Sequence, residues 1–92
     1  MTVEEFRVSP KLPPGLGAAL EALWHEAHGD WEKAHAQAQA ARSREGDWVH
    51  AYLHRKEGDE GNAAYWYSRA GRPVAQVSLD EEWSAIAGEL LG

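Results

Sequence analysis

The residues best suited to chemistry in this chain are its histidines, five in 92 residues. His50 and His54 lie four apart in WVHAYLHRKEGD. On a helix that spacing puts two imidazoles on one face, where both can reach a single ion, with Glu57 one turn further along. His25 and His28 are three apart in WHEAHGD. A zinc site takes three or four such donors. The candidate metal set is therefore His50 and His54, with Glu57 or His25 as the third ligand. His25-Glu26-Ala27-His28 does not match the zincin motif, whose histidines are four apart with a general-base glutamate between them. The plainer expectation is that these imidazoles are exposed or hydrogen-bonded between helices, with no metal or other cofactor.

Other chemistries find less support. There is no cysteine, hence no thiolate nucleophile, disulfide framework or thiolate metal site. The free hydroxyls Thr2, Ser9, Ser43 and Ser68 do not sit in a Gly-x-Ser-x-Gly turn. No phosphate loop or dinucleotide fingerprint is present. A binding surface has better candidates. Tyr65-Trp66-Tyr67 cannot all be buried on one helix, and an exposed Tyr65 flanked by Trp66, Arg69 and Arg72 suits a partner contact. Packing of Tyr65 against the last helix or the N-terminal arm is the competing expectation.

The net charge of −6 argues against a general nucleic-acid binder, which needs a basic face. Cations nevertheless occur in close pairs, Arg42 with Arg44, Arg55 with Lys56, and Arg69 with Arg72. They read as parts of a mixed, solvated surface. No apolar run approaches the ~20 residues that span a membrane. The N-terminus lacks the apolar core of a secretory signal. A cytoplasmic protein is expected.

The elements that must position these residues are all helical. Residues 1–15, with Pro10, Pro13 and Pro14, read as an extended arm. A first helix is predicted over 16–28, its stripe being Leu16, Leu20, Leu23, Trp24 and Ala27. A second runs over 31–42 with Ala34, Ala38 and Ala41 on one face, small enough for a neighbour to come close. A third covers 48–57, with Gly46-Asp47 as the break before it. A fourth covers 60–70. A fifth follows a Ser78/Glu81 capping box to Leu91. Trp24, Trp31, Trp48, Tyr52, Tyr67 and Trp83 fall on core stripes. The chain is thus one all-α domain over 16–92, about five short helices, with hairpins at 16–42 and 47–70 and a capping helix at 78–91.

The two hairpins match at an offset of 29 residues. Gly29-Asp30 falls on Gly58-Asp59, Ala34 on Ala63, Ala41 on Ala70, Ala22 on Ala51 and His25 on His54. GDEGNAAYWYSRA and GDWEKAHAQAQAA carry the pattern Gly-Asp-x-x-x-Ala-x-x-x-[Ala/Tyr]-x-x-Ala, which resembles tetratricopeptide and Sel1-like helical repeats. The offset is shorter than the ~34 residues of the tetratricopeptide repeat. The resemblance covers about 55 residues and implies two antiparallel hairpins closed by the last helix. It also implies a concave groove lined by Ala19, Leu23, Glu26, Ala27, Trp48, Tyr52, Arg55 and Lys56. Arg55 and Lys56 would there receive an acidic segment or a C-terminal carboxylate. Burial of Trp48 and Tyr52 in the core is the plainer expectation for so small a domain. The chain also resembles small bacterial proteins with WVHAYLHRKEGD-like and YWYSRAGRP-like runs, a resemblance that implies no activity. The expectation from sequence is an interaction or adaptor module without catalysis, binding a protein or peptide and no nucleic acid or membrane. A second copy of the chain is one candidate partner. The alternative is a metal-binding protein or metal-dependent enzyme using the helix-borne histidines.

Overall fold

A computed structural model describes all 92 residues and contains six helices and no strand. They are α1 (Val3–Val8), α2 (Ala18–Ala27), α3 (Trp31–Ala40), α4 (Arg44–Lys56), α5 (Glu60–Ala70) and α6 (Leu79–Leu91). None is long and apolar enough to cross a membrane.

Two identical turns organise the middle of the chain. After α2, the Asp30 N–H bonds the His25 carbonyl at 2.9 Å and Gly29 N–H bonds Glu26 at 3.1 Å. After α4, Asp59 bonds His54 at 2.9 Å and Gly58 bonds Arg55 at 3.1 Å. Gly29 and Gly58 have φ of +83° and +86°, the left-handed conformation that glycine adopts without strain when it closes a helix. The aspartates then cap the next helices, accepting from Lys33 N–H and Asn62 N–H. The matched small residues are buried in both halves, Ala22 with Ala51 and Ala34 with Ala63. α2 packs on α3, α4 on α5, and α3 on α4.

Two expectations are corrected. The extended arm contains α1: Thr2 and Glu5 form a reciprocal capping box, and Phe6 is fully buried. The third helix starts at Arg44 rather than Trp48, so Gly46-Asp47 is no break. Arg42 takes a positive φ of 48° and ends α3. Ser43 then caps α4 by accepting from Gly46 N–H at 3.0 Å. Gly46 serves packing. A Cβ there would lie 2.5 Å from Ala41 Cβ and 3.1 Å from the Ala38 carbonyl oxygen. Gly46→Ala, which adds helix propensity, is therefore expected to destabilise the fold by ~1–3 kcal/mol through overpacking. Urea denaturation checks this, and a stabilised variant would contradict the close approach of α3 and α4.

α6 closes the core. Its Ser78 cap accepts from Glu81 N–H, while Glu81 takes the Ser78 hydroxyl rather than its backbone. Trp83, Ile86 and Ala87 are fully buried among residues of α1, α2 and α4. Trp83 stacks on Phe6 with centroids 5.8 Å apart and lies under the Arg7 guanidinium. Its indole N–H donates to the Leu23 carbonyl at 3.2 Å.

Candidate functional site

α4 carries His50 inward, not outward as the helical wheel of the third helix implied. His50 is 3% exposed, while His54, one turn later, is half-buried. α3 lies against this face and supplies His35. The Nε2 atoms of His35 and His50 are 3.1 Å apart. His54 stacks on His50 with centroids at 4.8 Å and meets His35 edge-on at 5.6 Å. One ring nitrogen from each of the three lies within 4.8 Å of the others. Around a tetrahedral zinc at 2.0–2.1 Å, ligand nitrogens sit about 3.3 Å apart. The His35–His50 spacing already fits, and His54 would have to close in from a separation of up to 4.8 Å.

The surroundings orient these rings. Glu57 Oε1 lies 2.7 Å from His54 Nδ1, which leaves Nε2 of His54 as the donor to an ion. A carboxylate behind a ligating histidine fixes its tautomer and raises its basicity. Trp66 of α5 stacks on His50, with centroids 4.0 Å apart and planes 23° from parallel. His50 Nδ1 is buried without a hydrogen-bond partner. Burial, with lesser contributions from the facing His35 and His54, lowers its pKa from 6.5 to about 4. The imidazole is therefore neutral near pH 7, the form that binds a metal.

This gives a pH prediction for the metal-free protein. The folded-state pKa of His50 is depressed, so between about pH 6.5 and about pH 4 the unfolded chain binds a proton that the folded chain refuses. Stability present above that window is lost as pH falls through it. The expected loss is ~2–3 kcal/mol. Comparing urea midpoints at about pH 7 and about pH 4.5 for wild type and His50→Phe isolates it, and an equal acid loss in both proteins would contradict it.

The remaining candidates fall elsewhere. Glu57 serves His54 from behind, and it also belongs with His54 and Asp59 to a second, half-exposed acidic group. Asp59 in that group is occupied by Asn62. His25 meets the Trp24 ring edge-on and joins neither group. His28 stacks on Trp24 and contacts the Arg7 carbonyl, tying α1 to α2. Arg55 and Lys56 each pair with a buried carboxylate. Buried Glu82 accepts from Arg55 Nη1 at 2.8 Å and from the Tyr67 hydroxyl, and buried Glu26 accepts from Lys56 and from the Tyr52 hydroxyl. Burial and the adjacent carboxylates raise the pKa of both tyrosines. Of the positions assigned to a concave groove, Ala19, Leu23, Glu26, Trp48 and Tyr52 are buried, while Ala27 and Lys56 are exposed. Arg72 lies 3.7 Å over the Trp48 ring and pairs with Glu89 of α6. Tyr65 is 53% exposed and accepts from Arg69, whose guanidinium also lies 5.1 Å over Trp66. Sequence reasoning missed His35. The signal was the alanine face of α3, which admits α4 and carries a histidine next to Ala34.

Fold and site together define a small all-helical protein with three imidazoles converging between two packed helices. No protein family, curated protein or solved structure matches the chain.

Proposed function

We propose that this protein binds a late first-row divalent metal ion, zinc foremost, through His35, His50 and His54. One observation carries the reading. Three imidazoles are packed together, one of them nearly fully buried, with the Nε2 atoms of His35 and His50 3.1 Å apart. Imidazole donors suit zinc, copper and nickel. Three protein ligands leave a fourth position for water or a ligand atom, the pattern of catalytic rather than closed structural zinc sites. A water held there is acidified toward neutrality, so hydrolytic chemistry is within the reach of such a site.

Calorimetric titration of metal-free protein with Zn²⁺ tests this. One ion per chain is expected, with affinity lost in His35→Ala and kept in His25→Ala. Glu57→Gln is expected to weaken binding by ~10–100-fold, as loss of a carboxylate behind a ligand does. Binding indifferent to His35 would count against the site.

A second reading, an interaction module built from tetratricopeptide-like hairpins, draws on a different observation. Tyr65 stands exposed with Arg69 spanning it and Trp66. A partner that binds wild type and equally well binds Tyr65→Ala/Arg69→Ala would remove that surface from consideration.

A further inference from the structure

The histidine site has a cationic neighbour. The C-terminal end of α3, the start of α4 and the end of α5 border an open surface groove of about 520 Å³. Arg42, Arg44 and Arg69 line it, and Asp47 is its one carboxylate. Asp47 stands 3.7 Å from Arg69. Arg42 and Arg44 take part in none of the chain's six ion pairs. In a chain of net charge −6, with nine Lys and Arg in all, three arginines lining one groove are a local reversal of sign. Arg42 also holds a positive φ of 48°, the single non-glycine residue in that region. Trp66 is the shared wall, lining the groove and stacking on His50. Arg69 is three residues past Trp66, and Asp47 three before His50, so groove and histidines lie one helical turn apart along the same interhelical seam.

We infer that this groove seats the phosphate of a small phosphomonoester, whose organic body lies along Trp66 toward the histidines. Guanidinium forks match the phosphate oxygens in bidentate geometry. The volume is in the range of small-molecule pockets, leaving room for an organic body beyond the phosphate. That the body reaches an ion at His35, His50 and His54 rests on the metal reading; the phosphate seat itself does not.

The test uses metal-free full-length protein and two probes, inorganic phosphate and phenyl phosphate, followed by amide NMR shifts with chloride at matched ionic strength as the reference. Both probes are expected to shift the amides of residues 42–47 and 66–69, with phenyl phosphate the tighter. Arg42→Gln/Arg44→Gln, with its fold checked by circular dichroism, is expected to weaken both by about tenfold or more. Shifts equal to those in chloride, or unchanged affinity in the double variant, would overturn the phosphate seat. Zinc titration of the same variant separates the two claims. Zinc binding without specific phosphate shifts sinks the seat alone, and phosphate binding without zinc binding sinks the metal reading alone.

Discussion

Zinc-loaded protein is expected to melt ~10–20 °C above metal-free protein. A ligand that binds only the folded state adds ~2.7 kcal/mol at a hundredfold excess over its Kd. In a domain of fewer than 100 residues each kcal/mol moves the midpoint by about 4–8 °C. The stabilisation has a structural route: His35 comes from α3 and His50 and His54 from α4, so the ion clamps two helices that otherwise meet through small residues such as Ala38, Ala41 and Gly46. His35→Ala is the informative variant. Loss of the His35 ring removes the one hydrogen-bond partner of buried His50, so the metal-free variant should melt below wild type, while the zinc-dependent shift should disappear. His25→Ala should keep the full shift, because His25 packs on Trp24 away from the cluster. A zinc-dependent rise of equal size in wild type and His35→Ala would show that the ion binds elsewhere.

Trp83→Ala is expected to cost ~3–5 kcal/mol. A domain of this length has a total stability of about 5–14 kcal/mol, so the variant should be marginal or largely unfolded at room temperature. The indole is fully buried and joins three parts of the fold at once: Phe6 and Arg7 of α1, the Leu23 carbonyl of α2, and its own helix α6. Truncation empties the centre of the core and leaves the Leu23 carbonyl without its donor. Trp83→Phe keeps most of the apolar volume but loses the indole N–H, and about 1–2 kcal/mol is expected for it. Chemical denaturation distinguishes the two. A loss below about 1 kcal/mol for the alanine variant would mean that α6 is not seated where the structure puts it.

The helices were legible wherever local chemistry decided them. Ser78 is a cap as its position predicted, and α5 runs from Glu60 to Ala70 as expected. Trp48, Tyr52, Tyr67 and Trp83 are buried, while Trp24 and Trp31 on the same kind of stripe are only partly covered. The errors came from competing signals. The prolines at 10, 13 and 14 obscured a capping box at Thr2 and Glu5 that was present in the sequence. Gly46-Asp47 looked like the two true Gly-Asp turns, but the Ser43 cap and the packing need at Gly46 place it inside α4.

The site was half legible for a related reason. His50 and His54 share a face because they share a helix, and spacing alone reveals that. His35 joins them only through the way α3 crosses α4, a tertiary fact with no period in the sequence. The inward direction of His50 likewise depends on Trp66 arriving from α5 to cover it. Arg55 and Lys56 looked free for the opposite reason. Their carboxylate partners lie 27 and 30 residues away, on α6 and α2.

The most direct measurement is anomalous diffraction at the zinc edge from crystals of zinc-loaded protein. A single strong peak is predicted between α3 and α4, at about 2.0–2.1 Å from one ring nitrogen each of His35, His50 and His54. No peak there, with zinc held instead at His25 and His28, at the His54–Glu57–Asp59 group, or nowhere on the chain, would contradict the three-histidine site.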